Sequence, residues 1–291
     1  MKKKYAAFVL DIKNSKGMEE DIRAECQKKL LKITEFINNI FSSNLEEKIV
    51  FASGDSVQGL FDNVKNAVGC YYLAKFLLYP FQLRCGIGFG EINEYIKHIK
   101  NTDKHLDSNF VDGSSYHLAI NALNTAKERN YNILIFSDSP QDDIVINQVF
   151  KTSMTLEELQ TSYQKDIFDI FNLLFPITYG SKQINSFYYD FVIKILKGNL
   201  IKYKIIQEKF YYDDLYLRIS QYLTKNRLYD EKVLQDQRIF YESVIPASLN
   251  DYVASLLGVT RQNIEQKVEK GNFNEIRKLD VLAVMLSEKN Y

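Results

Sequence analysis

From Tyr5 to Leu10 the apolar positions run unbroken and stop at Asp11, the pattern of a buried strand that ends in a carboxylate. The period then changes. Between Glu19 and Ile40, residues Ile22, Leu30, Ile33, Phe36, Ile37 and Ile40 recur at helical spacing on a charged background, which predicts an amphipathic crossover helix. Residues 48–52 and 57–61 flank the small-residue turn Ser53-Gly54-Asp55-Ser56 and read as a β-hairpin. Asn63 is placed to cap a second helix that continues to about Tyr79, where Pro80 ends it. The stretch QLRCGIGFGE at 82–91 alternates as a strand, and its three glycines imply close approach of another backbone. A long polar loop follows, then a helix at 114–128 with Leu118, Ala122 and Leu123 inward, and a strand at 133–136. The order β-α-β-β-α-β, then α-β, is that of a split βαβ arrangement with its helices on one face of an antiparallel sheet.

Past about Asp143 short strands give way to long segments of helical period rich in Tyr, Phe, Ile and Lys, such as 166–175, 184–196 and 212–223. The fold class expected is therefore α+β, with a mixed domain over 1–143 and an all-helical domain over 144–291, the boundary lying softly between 143 and 165. With 291 residues, two domains are the natural division, because single cores stop growing near ~250 residues. The aromatic positions Tyr188, Tyr189, Phe191, Phe210, Tyr211 and Tyr212 read as helical core or dimer surface rather than as a base-stacking platform.

Lys plus Arg equals Asp plus Glu at 37 each, so the whole chain has no electrostatic drive toward nucleic acid or membrane, and any nucleic-acid role must be local. Cys26, Cys70 and Cys85 have neither metal-ligand spacing nor an even framework and fit reduced thiols of a cytoplasmic protein. The apolar run behind Met1-Lys-Lys-Lys is too short for a secretion signal, and no stretch reaches the ~18 apolar residues of a membrane span. A soluble, intracellular protein is expected.

In a split βαβ sheet the first strand and the hairpin are neighbours, so Asp11 and Asp55 can converge on one edge. Either aspartate alone reads as an ordinary turn residue. Together they offer two hard oxygen ligands suited to Mg²⁺ or Mn²⁺, which bind through one or two carboxylates plus substrate phosphates. Gly54 would let a phosphate approach the backbone. Arg84 and Glu91 on the glycine-rich strand are candidate nucleotide-pocket residues, with a salt-bridged sheet face as the alternative.

Four blocks carry a resemblance: DIKNSK at 11–16, SGDSVQGLF at 53–61, RCGIGFGEI at 84–92 and DGSSYHLA at 112–119. In order and spacing they resemble the blocks of the SatD family and, more distantly, those of class III nucleotide cyclases, over roughly residues 4–137. The resemblance implies a nucleotidyl-cyclase-type domain, a homodimer with composite sites, and a metal held at Asp11, Ile12 and Asp55. It also implies that a nucleoside triphosphate is cyclised by attack of its own 3′-hydroxyl. Phe51 stands where adenylate cyclases carry a base-reading lysine. His117 and Asn121 fall where the resemblance implies a transition-state asparagine and arginine. The loss of that arginine removes a cation from developing phosphate charge, for which Lys127, Arg129 or Lys13 could substitute.

Near the C-terminus, LNDYVASLLGVTRQNIEQK at 249–267 has the small residue Ala254, the turn residue Gly258 and the apolar set Val253, Leu257, Val259 and Ile264 of a helix-turn-helix unit spanning about 248–270. The apolar residue expected at 267 is displaced to Val268. Thr260 would cap the second helix and leave Arg261, Gln262, Asn263, Gln266 and Lys267 exposed, residue types suited to base edges and phosphates. The alternative is a helical hairpin used for packing. Two functions follow: a metal-dependent nucleotide-binding protein, in the limit a cyclase, or a non-catalytic nucleotide sensor that binds DNA.

Overall fold

The structure, a computed structural model, describes residues 3–92, 113–177, 191–196 and 244–291. The chain divides into two units, Met1–Met154 with Leu282–Tyr291, and Thr155–Val281. In the first, the elements run β1 (Tyr5–Ile12), α1 (Glu20–Ile40), β2 (Leu45–Ser53), β3 (Ser56–Phe61), α2 (Val64–Leu78), β4 (Leu83–Gly90), α3 (Ser114–Arg129), β5 (Ile133–Phe136) and α4 (Pro140–Glu158). The sheet order is β2-β3-β1-β4-β5, with β1 antiparallel to β3 and β4, and β5 parallel to β4. This is an α+β fold with the strand order of a split βαβ sheet, extended by one parallel strand. The long polar loop expected after β4 lies largely outside the described residues.

The helices do not all share one face. On one side Phe8 and Phe61 pack edge to face at 5.8 Å, and Phe41, just after α1, meets Phe61 at the same distance. On the other side Ala7 and Val9 form a cluster with Tyr116, Ala119 and Leu123 of α3. The physical reason lies in β4. Opposite Ala7 and Val9 stand Gly88 and Gly86, and a Cβ at Gly88 would lie 2.0 Å from the Ser115 carbonyl oxygen. Bare backbone on this stripe lets α3 settle closer than any side chain would permit. The close approach implied by these glycines is thus that of a helix.

Local patterns explain the remaining elements. Asn63 accepts a hydrogen bond from Asn66 N–H at 2.9 Å and starts α2. The hairpin is longer than its apolar pattern suggested, because β2 is irregular. Its register shifts between Glu47 and Val50, and Asn38 of α1 bonds both backbone groups of Ile49 at 2.8 Å. Edge strand β5 is treated alike: Asn147 of α4 bonds both Ile135 N–H and its carbonyl at 2.8 Å. Ile22, read as core, is 43% exposed on the first turn of α1.

The second unit is helical where described: α5 (Ser162–Leu174), a helical stretch at 191–196, α6 (Ala247–Leu257), α7 (Arg261–Lys270) and the start of α8 (Phe273–Lys289). Of the expected helices, 166–175 lies within α5, 184–196 is described only in part, and 212–223 lies outside the described residues, as do the aromatic positions other than Phe191. Phe168 and Phe171 of α5 pack on Phe273 at 4.9 and 5.7 Å. Arg277 is wholly buried and donates to the Phe175 carbonyl at 2.8 Å and to Asn172 Oδ1, with Asp169 and Asp280 buried as well. No helix among the described residues is long and apolar enough to cross a membrane.

Candidate metal and nucleotide site

The site is built where β1 ends. In register, Asp11 stands opposite Ser56 of β3 and Arg84 of β4. Cross-strand partners share a face, so Asp11, Ser56 and Arg84 lie on the side that α3 covers, past the end of the glycine stripe. The hairpin turn is fastened here from three directions. Ile12 N–H donates to the Asp55 carbonyl at 3.3 Å, and Gln27 of α1 donates to the Gly54 carbonyl at 2.7 Å. Ser15 donates through Oγ to Asp55 Oδ2 in a short hydrogen bond. Ser15 opens a short 3₁₀ turn behind Asn14, whose φ of 58° is a left-handed conformation that asparagine tolerates.

Asp11 does not cap that turn. Its residue is only 8% exposed, Oδ2 lies 2.5 Å from the Lys127 ammonium, and Oδ1 is buried with no hydrogen-bond partner. Opposite it, Arg84 Nε is buried and likewise unpaired. A buried carboxylate oxygen without a donor is costly and calls for an explanation. A divalent cation provides one. The donors near Asp11 are hard oxygens, which suit Mg²⁺ or Mn²⁺, and among the described residues no group of three or more His, Cys, Asp or Glu is set to hold a metal. A two-carboxylate site of that kind is completed by phosphate oxygens. The chemistry of these donors fits the ion, which Asp11 and Asp55 would hold. Ile12 can contribute only backbone, since strand alternation turns its buried side chain to the opposite face.

The expected site residues separate into three places. Asp11, Ile12, Gly54, Asp55 and Arg84 converge at one end of the sheet. Glu91 lies just beyond the other end of β4, about 23 Å of extended chain from Arg84, where its N–H donates to Ser114 Oγ and its carbonyl accepts from Ser115 N–H. Phe51 pairs with Val57, whose partner across β1 is Leu10, so it shares the face opposite Asp11. His117 and Asn121 are exposed on α3, and His117 lies about 15 Å along the helix from Lys127. Within one chain, Lys127 is the residue of α3 that reaches Asp11. Sequence had offered it only as one of three substitute cations. Its spacing gives the signal: from Ala119, which lies on Gly88, two helical turns end at Lys127.

In the second unit, Gly258 ends α6 with a φ of 65°, and Thr260 caps α7 by accepting from Asn263 N–H at 3.2 Å. Val253, Ala254, Leu257, Ile264 and Val268 are buried. Gln262, Asn263 and Gln266 are exposed, whereas Arg261 is engaged by Asp251 at 3.1 Å and Glu265 at 2.7 Å. Lys267 is not on the open face as expected; its ammonium lies over the Tyr163 ring at 5.5 Å.

No curated protein matches the chain. Among solved structures it is similar to a bacterial light-regulated adenylyl cyclase, at 12% identity and a TM-score of 0.31, over 45% of this chain and 42% of that one. The chain thus spans less than half the length of that structure. A model of the SatD family matches residues 5–186, more than half of the sequence and the whole of the β-sheet unit's strands and connecting helices. The chain belongs to the SatD family.

Proposed function

We propose that this protein binds a nucleoside triphosphate together with a divalent cation at the Asp11–Asp55 end of its sheet. The observation that carries the reading is Asp11: a carboxylate buried at a strand end with one oxygen unpaired, at the end of the sheet where Ile12 N–H holds the Asp55 carbonyl and Ser15 holds the Asp55 carboxylate. When bound, the metal would neutralise phosphate charge and polarise the phosphorus centre. The chain's own contribution is positional. Ser15 and Ile12 fix Asp55, β1 fixes Asp11, and Lys127 and Arg84 bring positive charge to the same end of the sheet.

Cyclisation is the chemistry that this site supports when two chains pair. His117, Ile120 and Asn121 are exposed on α3, with Ile120 an apolar residue left on its open face, and in a homodimer they would face the partner's Asp11 end. A second reading, binding without turnover, is favoured by Asn121, because an amide there supplies no charge to a phosphate in flight. DNA contact through Arg261, Gln262, Asn263 and Gln266 is subordinate in both readings, since Arg261 is already held by two carboxylates. Incubating the protein with Mn²⁺ and each of the four ribonucleoside triphosphates, with Asp55→Ala as control, separates them. A cyclic product from one triphosphate, lost in the variant, establishes the enzyme. Nucleotide- and metal-dependent thermal stabilisation without product establishes the sensor. Absence of both product and stabilisation would overturn the proposal.

A further inference from the structure

We infer that Lys127 is the resident counter-ion of Asp11, displaced by the divalent cation when it binds and transferred to a phosphate of the incoming nucleotide. The inference rests on the metal-nucleotide reading above and assigns its order of events. The ammonium lies 2.5 Å from Asp11 Oδ2, closing one oxygen while the other stays buried and unpaired. One ammonium closes only one oxygen of Asp11, and the other is left without a donor for a doubly charged ion to engage.

The two partners differ in mobility. The Asp11 side chain is 11% exposed and fixed on a central strand, whereas that of Lys127 is 43% exposed, on the last turn of α3. A lysine stem has four rotatable bonds and carries a compact, strongly hydrated charge. It can leave Asp11 without disturbing the helix, whose grip on β4 depends on Ser115, Ala119 and Leu123. A cation held against the carboxylate that a metal must take competes with the metal. The same cation, released beside bound phosphates, strengthens their binding. The two effects have opposite signs, which a purely structural ion pair would not produce.

The test compares wild type with Lys127→Met and Lys127→Arg, titrating Mn²⁺ alone and then Mn²⁺ with inorganic triphosphate, a probe that needs no knowledge of the base. Binding is read by calorimetry and by the Mn²⁺ electron paramagnetic signal. For Lys127→Met the expected result is Mn²⁺ alone bound roughly fivefold to tenfold more tightly and the Mn²⁺-triphosphate complex more weakly by a similar factor. Lys127→Arg, which keeps the charge, stays near wild type in both. If Mn²⁺ binds wild type and Lys127→Met alike, or the variant weakens both titrations, the counter-ion role is overturned while the metal site stands. If Mn²⁺ binds none of the three proteins, the metal reading itself fails and this inference with it.

Discussion

Gly88→Ala tests the link between a sequence feature and the position of the site. A Cβ at residue 88 would lie 2.0 Å from the Ser115 carbonyl oxygen and 2.3 Å from Ala119 N, both backbone atoms of α3. Ordinary contact begins near 3.4 Å, so the helix must retreat by more than an ångström or the strand must bend. Neither atom belongs to a flexible side chain that could swing away. Overpacking of this kind costs about 3 kcal/mol, the upper end of the usual range. For a unit of this size that corresponds to a fall in Tm of roughly 6–12 °C. The assay is thermal unfolding followed by circular dichroism, with Gly17→Ala as control, since a Cβ there meets nothing within 4 Å. If Gly88→Ala and Gly17→Ala melt within a degree of each other, the glycine stripe is not what seats α3.

Two further outcomes are expected. In the helical unit, Arg277→Met removes the donor to Asn172 and to the Phe175 carbonyl at a wholly buried position; urea titration should show a loss of about 2–3 kcal/mol, and a loss below about 1 kcal/mol would show that the guanidinium is not holding these helices together. Burial pushes the Cys26 thiol from its ordinary 9.0 to about 11 and raises Cys70 and Cys85 as well. A raised folded-state pKa gives stability that is full below the unfolded value and lost as pH climbs to the folded one. The Cys26 contribution should therefore fade between about pH 9 and 11, and native protein at pH 8 should react with a thiol reagent far more slowly than unfolded protein. Rapid native labelling of Cys26 would contradict this.

The strand order was legible because each apolar run has one period and a clear stop: Asp11 after β1, Asn63 before α2, Pro80 after it. That β1 and the hairpin carrying Asp55 are neighbours was legible for the same reason, since a split βαβ order sets them side by side. What escaped was the third dimension. Three glycines announced a close approach without saying whose, and the answer, α3, places a helix on a second face of a sheet whose helices were expected on one. That helix carries Lys127 to Asp11, a contact that the helical spacing from Ala119 yields only once Ala119 is known to lie on the glycine stripe. Phe51 was joined to the site by the cyclase resemblance and Glu91 by its place on the glycine-rich strand. Strand alternation puts Phe51 on the far face, and the length of β4 puts Glu91 at the far end.

The central claim is that nucleotide binding here depends on a metal held by Asp11 and Asp55. Titration of a fluorescent nucleoside triphosphate series into wild type and Asp55→Asn, each with Mn²⁺ and with excess chelator, tests it most directly. Saturable binding of at least one nucleotide by wild type with Mn²⁺, lost on chelation and lost in Asp55→Asn, is the result predicted. Equal binding with and without metal, or in both proteins, would contradict it.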